Sequence, residues 1–293
     1  MTLAQLVQIA ISVSIFVTVF AFGLNAPLRE AVFLFQRPSL LVRSILAMNV
    51  LMVLFAVAVV SLFDLPRPIE IALVVISLSP VPPVMPRKQE MAGGSGSYTI
   101  GLLVAAVVVA LVLIPLWFEI LDRYFAVDIH VGPLQLVPVA LMTVIGPLVA
   151  GMLVRHFASS FAERIVGPTA VIGMGLLVLA VLPVLVLQAG PMWNEIGNGI
   201  LIAFGSFSLV GLAVGHFLGG PNPNNRTVLA LATSARHPAI AMTIGNLNFP
   251  DQKPVILVIV LLHVIVGFVL GIPYLVWRER VRASRAITTP PQP

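Results

Sequence analysis

The residues of this chain that could do chemistry are few, and most sit inside or beside apolar runs. Arg236, His237 and Pro238 interrupt the run TVLALATSARHPAIAMTIGN at residues 227–246, with Thr233 and Ser234 just ahead of them. A second run, IEIALVVISLSP, gives way to VPPVMPRKQE, so Pro80, Pro82, Pro83 and Pro86 are followed at once by Arg87, Lys88, Gln89 and Glu90. Each proline removes an N–H donor and clashes with the preceding turn, so neither run continues as a straight helix. Lipid tolerates such a break only where protein or a water-filled cavity covers the freed backbone groups. Two broken, polar spans in corresponding positions of two halves point to a transporter's binding site.

Each polar side chain has a plain reading beside the functional one. An arginine at mid-span costs at least about 2.5 kcal/mol on insertion scales, so Arg236 needs a partner or a task. It can grip a carboxylate or other anion with two parallel N–H groups, or it can form an internal ion pair, for which Glu90 is the candidate. Arg87 and Glu90 are one turn apart and can point together. The plain reading is that they and Lys88 reach the cytoplasmic interface. His237 titrates near neutral pH and suits a proton relay, or it packs as a hydrogen-bonded ring. His263 is a similar case in the last span. Asn198, Ser206 and Ser208 line a polar cavity or hold helices together. GGSGS at 93–97 reads as a flexible turn, and GPNPNNR at 220–226 as a turn whose asparagines can cap the next helix. No His-Glu-x-x-His or Cys-x-x-Cys pattern suggests a metal site.

The elements that must position these residues follow from composition. The chain of 293 residues is 59% hydrophobic and 9% charged, against about 25% charged for a soluble domain. With continuous apolar runs and no alternating strands, the fold class is an all-α polytopic membrane protein. It has no cysteine, so neither a disulfide framework nor thiolate chemistry is available.

At about 20 residues per crossing, nine spans fall near 5–24, 40–63, 69–92, 97–118, 133–154, 165–188, 197–218, 225–247 and 254–277. The first apolar stretch has no basic leader and reads as a span, not a cleaved signal. APLREAVFLFQR at 26–37 is amphipathic and expected along the membrane surface. With the N-terminus outside, 12 of the 16 basic residues fall in inside segments, and Arg67, Arg123 and Lys253 fall outside. Asp64, Glu70, Glu119, Asp122, Asp128, Glu195 and Asp251 lean outward. The net charge of +5 is therefore orientation charge and implies no nucleic acid partner. The pattern suits a bacterial inner membrane with a cytoplasmic C-terminus. Residues 1–285 read as one transmembrane unit and 286–293 as a disordered tail. Spans 3 and 8 enter from opposite sides, as inverted repeats require.

These residues resemble the bile acid:sodium symporter family. FGLNAPLREAVFLFQRPSLLVRSILAMNVLMVLFAVAVV looks like that family's opening. ISLSPVPP sits where the family has a Cys-Pro-Gly-Gly turn, and NRTVLALATSARHPAIA resembles its Arg-Thr-Val followed by a Glu-Thr-Gly-Met-Gln-Asn-Ser-Gly core. The resemblance implies crossing discontinuous helices in spans 3 and 8, a core of spans 2–4 and 7–9, and a moving panel of spans 1, 5 and 6. It also implies departures. The family's Ser-Asn sodium ligands fall at Met85 and Pro86, its shared Glu at Ala232, its Gln at Arg236 and the following Asn at His237, while Thr99 keeps a usable oxygen. Sodium wants oxygen ligands by the hard-cation logic of calcium and magnesium, so a guanidinium there argues against the family's sodium coupling.

The expected function is secondary transport of an organic anion by alternating access, proton-coupled or uncoupled. Arg236, His237, Thr233, Ser234, Arg87 and Glu90 would line the substrate site, Pro80, Pro82, Pro83, Pro86 and Pro238 would break the helices, and no cofactor would be needed. Rival readings are a non-transporting membrane sensor or partner-binding subunit and an ordinary symporter with a relocated sodium site. An intramembrane enzyme is the remotest, since no nucleophile–base pair is visible.

Overall fold

The computed structural model describes residues 3–125 and 133–288, and these residues form helices joined by short turns, with no strand among them. Asp128 and residues 289–293 lie outside the described residues, as does the side chain of Asn198. Long apolar helices follow from the solvent: in lipid, a backbone that satisfies its own N–H and C=O groups is the stable one.

Helix α1 spans Leu3–Asn25 and contains the apolar stretch Ile9–Asn25. Among the described residues, six longer stretches are long and apolar enough to cross a membrane, which the shorter Ile9–Asn25 stretch is not: the six are Pro38–Leu62, Gly96–Phe125, Leu134–Phe157, Ser159–Glu195, Leu201–Leu218 and Pro250–Ser284. The first comprises α3 (Pro38–Ile45), a π-turn (Leu46–Leu51) and α4 (Met52–Leu62). The next is α7 (Gly96–Phe125). Then come α8 (Pro133–Ala140), a second π-turn (Leu141–Ile145) and α9 (Gly146–Phe157), followed by α10 (Ser159–Glu195). A third π-turn (Ile196–Ile200) leads into α11 (Leu201–Leu218), and α14 (Lys253–Thr288) is the last helix.

The two runs that carry the charged interruptions are each split. One becomes α5 (Arg67–Leu78) and α6 (Met85–Met91), the other α12 (Pro223–Ser234) and α13 (Pro238–Asn248). Each half is too short to cross about 30 Å of hydrocarbon at 1.5 Å per residue.

Two details differ from the sequence expectation. The amphipathic stretch 26–37, expected along the membrane surface, is in part packed into the protein. It is a single turn, α2 (Leu28–Ala31), followed by further turns, with Leu34 fully buried. Glu30 there accepts a 2.8 Å hydrogen bond from the Ser97 hydroxyl, which fastens the stretch to α7. Residues 286–288, expected in a disordered tail, are instead part of α14, which continues to Thr288.

Packing follows residue size. α1 lies along α9 and α10. A Cβ on Gly23 would collide with the Leu148 carbonyl and one on Gly151 with the Phe20 carbonyl, and one on Gly173 would meet the Thr18 hydroxyl at 2.6 Å. α11 packs on α12 in the same way, with Gly211 against Ser234 and Gly215 against Ala230. α14 closes over α5, α11 and α13. Ile69, Leu73, Ile76, Phe204, Phe207, Ile244 and Ile259 form a fully buried apolar core among these helices.

Gly151→Val should lower the thermal unfolding midpoint of detergent-solubilised protein, at a cost of about 3 kcal/mol, because the contact is with backbone that cannot step aside. Gly175→Val, on a position whose added Cβ would meet nothing, should leave the midpoint nearly unchanged.

Candidate functional site

The breaks are built from local backbone rules. α5 ends at Leu78 because the residue before Pro80 is pushed out of the helical region, and Ser79 is extended at φ −72°, ψ 147°. The chain stays out of helix until α6, where Pro86 occupies the first turn and its missing N–H costs nothing. α12 starts with Pro223 behind Asn222, whose side-chain oxygen accepts from the Asn224 N–H at 2.8 Å, the cap the turn sequence suggests. It ends at Ser234, after which Ala235 is extended. His237 precedes a proline and is extended too, and Pro238 opens α13.

The two interruptions meet. The His237 N–H donates to the Pro80 carbonyl at 2.8 Å, joining residues more than 150 positions apart. Pro80, Pro82, Pro83 and Pro86 are all buried around this junction. Gln89, also buried, donates from Nε2 to the Val228 carbonyl at 2.8 Å and ties α6 to α12.

Arg236 lies at the junction with 2% of its surface exposed. Its Nη2 donates to the Met48 carbonyl at 2.8 Å, and the guanidinium carbon lies 5.7 Å from the Phe207 ring centre. Met48 is in the first π-turn, where the change from i+4 to i+5 pairing frees carbonyls for other partners. The neighbouring Asn49 carbonyl is used likewise, accepting from Trp117 Nε1 at 2.8 Å. Nε and Nη1 of Arg236 have no hydrogen-bond partner.

His237 uses both ring nitrogens. Nδ1 accepts from the Ile240 N–H at 3.4 Å and caps α13, and Nε2 lies 3.4 Å from the Thr143 hydroxyl in the second π-turn. That hydroxyl already donates to Val139 at 2.7 Å. It therefore accepts from His237, which assigns the neutral ring with its proton on Nε2.

Thr233 and Ser234 are buried beside the arginine, but their hydroxyls donate to Leu229 and Leu231 of their own helix. Arg87 is exposed. The Lys88 ammonium sits 3.9 Å over the Phe268 ring. Glu90 stands by the turn into α7, where a Cβ on Gly96 would lie 3.7 Å from its carboxylate. The ion pairs among the described residues are Arg67–Glu70 and Arg123–Glu119. Of the two readings of Arg236, the internal pair with Glu90 is not formed: α6 carries Glu90 toward the α7 turn, while Arg236 reaches the π-turn after α3.

At the positions aligned with the family's sodium ligands, Met85 and Ala232 present buried apolar side chains. Thr99 is buried with an unpartnered hydroxyl. No group of three or more His, Asp or Glu converges among the described residues. The partners that sequence reasoning missed are the Met48 carbonyl and Thr143, both products of π-turns that carry no residue signature. Gln89 was in plain view within the broken segment, and only its burial marks it.

In comparison with known proteins, the model of the Sodium Bile acid symporter family matches residues 12–190. A comparison with curated proteins finds no match.

His237→Ala removes the α13 cap and the Thr143 contact, and should cost about 1 to 2 kcal/mol in a detergent unfolding titration. His237→Asn keeps a capping oxygen and should recover most of that loss. Equal losses in the two variants would show that the cap contributes nothing.

Proposed function

The chain belongs to the sodium bile acid symporter family, and from that membership and the enclosed guanidinium we propose that it is a secondary transporter of organic anions whose fixed arginine charge takes the place of a family sodium ion. The family is one of transporters, and the chain is a multi-pass helical membrane protein. On this reading, the contact of the two breaks is the crossing of discontinuous helices in spans 3 and 8 of nine. Spans 2–4 and 7–9 form the core, and spans 1, 5 and 6 form the panel that moves against it. Close packing of α1 with α9 and α10 supports that grouping. The basic loops put the N-terminus outside and the C-terminus in the cytoplasm, in a bacterial inner membrane.

The observation that carries the proposal is Arg236. It stands where the family's sodium ligand falls, is 2% exposed, and is anchored to a backbone carbonyl by one of its nitrogens. A sodium ion and a guanidinium at one spot would repel, and a guanidinium supplies no oxygen to coordinate the ion. Half-helix N-termini such as that of α13 favour negative charge nearby, which suits an anionic substrate. Arg236 is enclosed in this conformation, so a bulky anion reaches it once the panel has moved off the core.

Uptake of labelled organic anions, taurocholate among them, into proteoliposomes should proceed equally with sodium or potassium outside. Arg236→Gln should reduce that uptake about tenfold or more, the effect of losing a charge-assisted hydrogen bond. Strict sodium dependence would overturn the reading and favour an ordinary symporter with a relocated cation site.

A further inference from the structure

Arg236 is one of several buried polar groups with unmet hydrogen-bonding capacity in the same part of the protein. Besides its Nε and Nη1, the Ser208 hydroxyl and His263 Nδ1 have no partner, and all three residues are at most 2% exposed. They come from α11, α14 and the break between α12 and α13, but share a neighbourhood. Phe204, Phe207, Ser208 and Gly211 recur at helical spacing and form one buried face of α11. The Phe207 ring lies against both charged-type residues, with Arg236 at 5.7 Å and the His263 ring at 5.8 Å. On α14, Gly267 follows His263 by one turn. A Cβ there would lie 3.5 Å from the Ser208 hydroxyl and 3.9 Å from the carbonyl of Ser234, two residues before Arg236.

Buried donors without acceptors are costly, at about 1 to 3 kcal/mol each and more for a charged group. An isolated buried charge costs several kcal/mol. No carboxylate pairs with Arg236 among the described residues, where the ion pairs are two other Arg–Glu contacts. Three buried groups of one kind, a guanidinium, a hydroxyl and an imidazole able to present an N–H, therefore share one chemical need.

We propose that Arg236, His263 and Ser208 form a buried site for a small monovalent anion, either a free halide or the carboxylate group of a substrate. The site deepens the reading of Arg236 as the transporter's fixed positive charge and rests on that reading. One negative charge is specified because one guanidinium neutralises one charge, and a dianion would leave a surplus buried. The guanidinium supplies the charge, and Ser208 and His263 supply neutral hydrogen bonds that fix the anion's position. The imidazole holds its proton on the nitrogen that faces the anion.

The test is thermal unfolding of the purified protein in detergent, titrated with sodium chloride, sodium formate and sodium gluconate at constant ionic strength. A ligand bound only by the folded state must raise the midpoint saturably. Chloride or formate should do so, and gluconate, too bulky for an enclosed site, should not. A response to chloride identifies a halide site, and one to formate alone identifies a carboxylate site. Arg236→Gln should abolish the response. Ser208→Ala and His263→Phe should each raise the half-saturating concentration about fivefold, the effect of one neutral hydrogen bond, and they keep the test decisive where Arg236→Gln does not fold. Identical responses to all three salts, or an unchanged half-saturation in both Ser208→Ala and His263→Phe, would overturn the proposal. Sodium-independent uptake without any anion-specific stabilisation would remove this site and leave the transport reading standing.

Discussion

A broken backbone inside a membrane must find hydrogen-bond partners within the protein, and that requirement organises the centre of this structure. Water cannot stand in for a lost helix bond in hydrocarbon. The prolines at 80, 82, 83 and 86 prevent one run from continuing, and Pro238 prevents another. The solution is mutual: the His237 N–H of one break donates to the Pro80 carbonyl of the other. Once those two strands of irregular chain must touch, the half-helices on either side have fixed neighbours. Gln89 on Val228 then ties α6 to α12, while Asn222 on Asn224 and His237 on Ile240 cap α12 and α13.

The π-turns are the second half of the same economy. A π-turn frees a carbonyl from its helix and offers it sideways. The one at Leu46–Leu51 gives the Met48 carbonyl to Arg236 and the Asn49 carbonyl to Trp117. The one at Leu141–Ile145 brings Thr143 to the far side of His237. Two adjacent residues, Arg236 and His237, thus reach two different helices, so the interrupted segment is held by long-range polar contacts where regular helix pairing is lost. The arginine remains under-satisfied, and it shares that condition with Ser208 and His263. Buried polar groups left in that state are expected at functional sites, where stability is given up for chemistry.

Much of this was legible in the residues. Composition required helices in lipid, the proline cluster at 80–86 and Pro238 beside Arg236 located the two breaks, and the Asn-Pro-Asn turn announced the cap at Asn222. The resemblance to bile acid:sodium symporters stood on motifs at 22–60, 76–83 and 225–241, and the family match covers 12–190. Whether Arg236 pairs with Glu90 was left open by the residues for a physical reason. Opposite charges in one apolar environment attract in principle, yet the direction in which α6 leaves its break decides whether they can meet.

What the sequence determined by itself is therefore everything that depends on local chemistry. Apolar length makes a helix, proline ends it, a short polar residue caps it, and a charge at mid-span must be accommodated. The tertiary structure alone decided which groups accommodate it. Met48 offers a backbone carbonyl, which every residue possesses and no sequence advertises. Ser208, His263 and Arg236 are brought together by the face that α11 turns toward α14, a matter of helix rotation and of glycines small enough to allow close approach. Partners across 30 to 190 positions are set by packing in three dimensions, and the residue types at the ends of such a contact permit it without specifying it.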